Sequence, residues 1–218
     1  DRTHVLNNRH SFNWYITTDF ATSEARSADY SGISVWAVGP NDDRYWVDGI
    51  LAGQTMDVTI DGLFKLCHRY QPMGVGIETN GQQGGFIPLI QNEMLARGIY
   101  FNIAKSKRAN GQGTLGIQSP TNKNKLERFN TVLPLFKQGK IHLPKEDKDV
   151  FIMREAVKEL KGVTTRGIVS RYDDWLDTVS QMGLMEMWTP SDSEGYMPSS
   201  DEPTEKDKFW GSFGDEPV

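Results

Sequence analysis

The sequence holds one cysteine, Cys67, in 218 residues. A lone thiol closes no intrachain disulfide and builds no cysteine-based zinc cluster, so the chain reads as intracellular. The four histidines, His4, His10, His68 and His142, are scattered without ligand spacing. No apolar run approaches the ~20 residues that a helix needs to cross a bilayer, so no membrane role is expected. No Gly-x-x-x-x-Gly-Lys-Ser/Thr segment is present, and residues 81–85, although glycine-rich, lack the lysine of a phosphate-cradling loop. The opening Asp1-Arg2-Thr3-His4 has neither an initiator methionine nor an apolar signal region; it predicts a piece excised from a longer protein.

What is present suits a folded domain. The length and the 37% hydrophobic content are enough to bury a sizeable core. The net charge of −5 is unevenly placed. Residues 189–218 carry eight acids against Lys206 and Lys208, among Pro, Ser and Gly with little periodicity. They predict an acidic, disordered tail behind a near-neutral domain over 1–188.

Segments that alternate or run apolar predict strands over 13–18, 32–38, 44–51 and 74–78, with a fifth over 99–104. Pro40-Asn41-Asp42-Asp43 is turn chemistry, so the second and third strands form an antiparallel hairpin. Helices are expected over 55–70, from the glycine-rich segment to 97, and over 122–137, 147–161 and 172–187, with a short strand over 140–143. A three-strand antiparallel meander followed by helix, strand, helix and strand fits neither a doubly wound sheet nor a barrel. It is the order of an α/β, ribonuclease-H-like mixed sheet flanked by helices.

Three groups of carboxylates are placed for chemistry. Asp19 ends the first strand in Ile16-Thr17-Thr18-Asp19, and Glu78 ends the fourth in Gly76-Ile77-Glu78-Thr79. Charged residues rarely stand in such apolar strands unless paired or ligating a metal. Asp173, Asp174 and Asp177 open the last helix, where one acid suffices as a cap and Asp174 and Asp177 share a face. If the first strand is central and the fourth lies beside it, Asp19 and Glu78 are neighbours. Two carboxylates ~4 Å apart repel by roughly 4 kcal/mol at an effective dielectric of ~20, so a third requires a cation. Oxygen-only ligands point to Mg²⁺ or Mn²⁺, and two such ions suit phosphodiester hydrolysis. The plainer alternative makes these acids turn and helix caps.

Taken in order, these segments resemble the C-terminal nuclease domain of the tailed-bacteriophage terminase large subunit. The resemblance covers most of residues 12–188. It rests on Ile16-Thr17-Thr18-Asp19 with Asp29-Tyr30, on Gly76-Ile77-Glu78-Thr79-Asn80-Gly81, on Leu-Phe-Lys-Gln-Gly-Lys-Ile-His-Leu-Pro ending at Pro144, and on Tyr172-Asp173-Asp174-Trp175-Leu176-Asp177. Tyr172 stands where relatives often have His. The resemblance implies metal ligation and catalysis by Asp19, Glu78 and Asp174, with Asp173 as the competing choice and Asp29 and Asp177 as auxiliary metal acids. It also implies an N-terminal ATPase in the same full-length chain, portal and small terminase subunit as partners, and work on concatemeric double-stranded DNA in the host cell cytoplasm.

Eight basic residues fall within positions 105–140, with Glu127 the only acid among them. Of these, Lys105, Lys107, Arg108, Lys123, Lys125 and Arg128 form the expected DNA-binding track, following phosphates without reading bases. Two other readings stay open. Asp174 and Asp177, three apart, also resemble a Holliday-junction resolvase of the same fold, and a non-catalytic DNA-binding or motor-docking module would use the same basic loops.

Overall fold

The computed structural model describes residues 1–21, 30–79, 86–106, 115–118, 124–170 and 172–191. Its centre is a five-stranded mixed sheet in the order β4-β1-β2-β3-β5. β1 (Asn13–Asp19), β2 (Ser31–Val38) and β3 (Arg44–Ala52) form the expected meander. β1 pairs antiparallel with β2, and β2 with β3. β4 (Gly74–Gly76) lies parallel to β1 with Thr17 opposite Gly76. β5 (Ile141–His142) adds a parallel edge to β3, so the short strand read from the sequence completes the sheet.

Side-chain alternation sends successive residues of each strand to opposite faces, and both faces are covered. Trp14, Ile16, Ile33 and Val35 join the core built with α2 (Met56–Tyr70) and α3 (Phe86–Arg97). Tyr15, Trp36 and Val38 join the other core. That second core also takes Phe129 of α4 (Lys125–Phe129), Met153 and Ala156 of α6 (Phe151–Lys161), and Trp175, Leu176 and Val179 of α7 (Asp174–Gln181). All eight residues of β2 are buried, which is why this strand reads as one apolar run rather than as alternation.

Several elements differ from expectation. The helix expected over 122–137 is two helices, α4 and α5 (Leu133–Lys137), because Pro134 supplies no N–H and opens a new helix. The fourth strand stops at Gly76, and Glu78 continues it only as an isolated parallel bridge to Ile117. The fifth strand reduces to the bridge Val75–Ile103. The helix expected from 147 begins at Phe151, after a single tight turn over Lys145–Asp147. The last helix spans only Asp174–Gln181, and Met182, Gly183 and Leu184 continue it as tighter turns bonded to Val179, Ser180 and Gln181. A small hairpin, β6 (Val163–Thr164) with β7 (Gly167–Ile168), and an N-terminal helix α1 (Arg2–Asn7) have no counterpart in the sequence reading. The segment expected to be a disordered tail lies outside the described residues beyond 191.

The contact that matters most is α7 against β1 and β2. A Cβ on Gly32 would stand 2.9 Å from Thr178 Cγ2 and 3.0 Å from the Asp174 carbonyl oxygen, so glycine lets the first turn of α7 rest on the strand. Thr178 and Ser34 share a hydroxyl hydrogen bond of 2.8 Å. The Gln181 amide spans the Thr18 backbone, accepting from its N–H at 3.3 Å and donating to its carbonyl. These bonds fix the helix one residue away from Asp19.

Candidate functional site

Thr17 opposite Gly76 in a parallel pair carries the register forward to Asp19 beside Glu78, two residues on in each chain segment. The backbone holds Glu78 there: Thr79 N–H donates to Ile117 O at 2.9 Å and Ile117 N–H to Ile77 O at 2.7 Å. From the other side α7 brings Asp174, 3% exposed, and Asp177, 8% exposed. Asp173 occupies the N-cap position of α7. Five carboxylates from three elements thus meet at one rim of the sheet.

Two cations lie among them. Lys125 Nζ stands 2.6 Å from Asp173 Oδ1 and 3.0 Å from Asp177 Oδ2. Arg128 reaches Asp177 Oδ1 at 3.1 Å and Glu78 Oε1 at 3.9 Å. Two positive charges against five acids leave the rim strongly negative. The titrations reflect it. Burial, followed by the charges of Asp177, Glu78 and Asp174, holds the Asp19 carboxyl well above the usual carboxylate range, with Lys125 opposing. Burial also raises Asp177, although Lys125 and Arg128 pull it down. For Lys125, burial works against the charge, yet Asp177 and Asp173 win and push its ammonium above the ordinary lysine value.

Among the described residues no three acids, histidines or cysteines stand in an arrangement that holds a metal ion. Lys125 bridges Asp173 to Asp177, and Arg128 bridges Asp177 to Glu78, so these cations engage the oxygens that a metal would use. The donor set nonetheless fits a hard divalent cation: all oxygen, in charge excess, and rigidly mounted.

Of the basic residues singled out in the sequence, Lys125 and Arg128 belong to this acid cluster. Lys105 is exposed on a segment that bridges Leu115 and Gly116, next to the Ile117 partner of Glu78. Asp29, Lys107, Arg108 and Lys123 lie outside the described residues. Cys67 is buried and desolvation pushes its thiol far up, so it is inert as a nucleophile.

One acid escaped the sequence reading. Glu159 of α6 is 1% exposed, and its Oε2 accepts from the Leu176 N–H at 3.0 Å. Burial pushes it up to about 8, with Asp174 and Asp173 adding to the rise and the Leu176 N–H opposing. The available signal was its place on the stripe Met153, Ala156, Glu159, where helical spacing calls for an apolar residue.

The family model of the terminase RNaseH-like domain matches residues 16–186. No curated protein matches the chain. Among solved structures, the manganese-soaked, inhibitor-bound terminase nuclease domain of human cytomegalovirus is 12% identical. The alignment covers 81% of this chain and 84% of that one, with a TM-score of 0.54. The large terminase nuclease of thermophilic phage G20c with bound cobalt is 17% identical, over 80% of this chain and 82% of that one, with a TM-score of 0.51. At such identities the likeness concerns the fold: the same mixed sheet flanked by helices.

Proposed function

Because the chain belongs to the terminase RNaseH-like domain family, we propose that it is a metal-dependent endonuclease that cuts concatemeric double-stranded phage DNA during genome packaging. The observation that carries this reading is the gathering of Asp19, Glu78, Asp174 and Asp177 at one rim of the sheet, close enough for three of them to raise the fourth. Asp19, Glu78 and Asp174 are the proposed ligands of two Mg²⁺ or Mn²⁺ ions, with Asp173 the competing ligand and Asp177 and Asp29 auxiliary. Such ions, once bound, would lower the pKa of a water so that it attacks phosphorus as hydroxide, and would neutralise charge on the departing oxygen.

The chain's own groups do the rest. β1 and the 77–79 segment mount Asp19 and Glu78 on backbone that cannot yield, because Thr18 is tied to Gln181 and to the Gly76 carbonyl, and Thr79 to Ile117. Lys125 and Arg128, seated among Asp173, Asp177 and Glu78, are the proposed phosphate contacts nearest the acids. Lys105, with Lys107, Arg108 and Lys123, extends their charge along the proposed DNA track, which contacts phosphates and gives little sequence preference. The proposed partners are the DNA, the N-terminal ATPase domain of the full-length chain, the portal and the small terminase subunit, in the host cell cytoplasm. No helix among the described residues is long and apolar enough to cross a membrane.

The test is plasmid digestion with Mg²⁺ or Mn²⁺. The unaltered chain is expected to nick and linearise DNA, and Asp19→Asn to lose cleavage while still binding DNA in chelator. Full cleavage by Asp19→Asn removes the mechanism. Binding without cleavage under any divalent metal selects a non-catalytic module, and a preference for four-way junctions selects a resolvase.

A further inference from the structure

The helix that carries Asp174 and Asp177 is not capped by its own cap residue. Asp173 holds the N-cap position of α7, but its side chain makes no capping hydrogen bond. Its carboxylate is turned to Lys125 instead, at 2.6 Å. The first N–H groups of a helix have no partner within the helix and need an acceptor from elsewhere, most of all where the end is buried. Here the acceptor comes from another helix. Glu159 of α6 takes the N–H of Leu176, the third residue of α7, through Oε2 at 3.0 Å. That is the N–H which a cap side chain ordinarily serves.

The cost of this arrangement is visible. Glu159 is 1% exposed, and its Oε1 has no hydrogen-bond partner among the described residues. A leucine on the same stripe would be easier to bury. What leucine lacks is the ability to cap α7 from outside. We propose that Glu159 is a positioning residue for the acid cluster: by capping α7 in place of Asp173, it leaves the Asp173 carboxylate at the rim and fixes the turn that bears Asp174 and Asp177. This rests on the nuclease reading only in taking the cluster as a divalent-cation site.

Two conservative variants separate reach from the titratable group. Glu159→Gln keeps reach and an acceptor oxygen but cannot ionise, whereas Glu159→Asp keeps a carboxyl group and is one methylene short. Mn²⁺ titration calorimetry on the full chain reads affinity, and melting in chelator reads stability without metal. Glu159→Gln is expected to bind Mn²⁺ within about threefold of the unaltered chain, and Glu159→Asp about tenfold more weakly, the size typical of losing an outer partner of a ligand. Equal Mn²⁺ affinity in all three, with only the melting temperature lowered, makes Glu159 merely structural and overturns the proposal. The reverse order, with Gln weakened and Asp retained, overturns it in favour of a role for the carboxyl group's ionisation rather than its reach. Absence of Mn²⁺ binding by the unaltered chain overturns the nuclease reading and this proposal together.

Discussion

Replacing Lys125 by methionine keeps the aliphatic stem and removes the ammonium that holds Asp173 at 2.6 Å and Asp177 at 3.0 Å. The Lys125 side chain is 47% exposed and that of Asp177 is 10% exposed, so the bridge is neither a surface pair nor a buried one. Exposed pairs contribute ~0–1 kcal/mol and breaking a buried one costs ~3–5 kcal/mol, which places this bridge at ~1–2 kcal/mol after solvent screening. For a domain of this size the melting temperature in chelator should fall by about 2–8 °C, at roughly 2–4 °C per kcal/mol. Manganese offsets the loss. The unaltered chain must give up the bridge before its carboxylates turn to a metal, and the variant has none to give up, so its apparent Mn²⁺ affinity should rise by ~5–30-fold. At saturating Mn²⁺ the variant therefore gains ~1–2 kcal/mol more from bound metal than the unaltered chain, enough to close the gap between the two melting curves. Scanning calorimetry in chelator and in Mn²⁺, with titration for the Kd, reads both quantities. An unchanged gap in Mn²⁺ would show that Lys125 does not compete for the metal's oxygens. Weaker binding by the variant would make Lys125 part of the site and refute the reasoning.

The remaining predictions concern pH and packing. Glu159 is raised from 4.5 to about 8, and Asp19 and Asp177 are raised as well, so the folded state retains protons that the unfolded chain releases. That stability is full below the ordinary carboxylate values and is lost as pH rises through the folded ones. The melting temperature in chelator should therefore fall from about pH 5 to 8, and Glu159→Gln should flatten the fall; a rise over that interval contradicts the assignment. Gly32→Ala puts a methyl 2.9 Å from Thr178 and 3.0 Å from the Asp174 carbonyl. Overpacking of this kind costs ~1–3 kcal/mol, so both the melting temperature and the Mn²⁺-induced rise should shrink. An alanine variant that melts and responds to Mn²⁺ as before would mean that α7 is not fixed by this contact.

The sequence by itself determined the meander of β1, β2 and β3, because apolar patterning and the Pro40–Asp43 turn chemistry act over a few residues. It also determined that Asp19 ends β1, whereas the strand expected to carry Glu78 stops at Gly76, and the parallel register of Thr17 with Gly76 brings Glu78 beside Asp19. Pro134, which opens α5, is a local signal that the expectation of one helix over 122–137 passed over. Tertiary structure alone decided what the charged residues meet. In sequence Lys125 and Arg128 are two of eight cations in a basic stretch. In space α4 lies against α7, and they neutralise acids about fifty residues away or more. Glu159 is likewise an ordinary acid on a helix until α6 packs beneath the first turn of α7 and gives it an N–H to accept. Periodicity and turn chemistry are local and can be read along the chain. The sign and distance of a charge's partners depend on which helix rests on which, and that is set by the packing of both faces of the sheet at once.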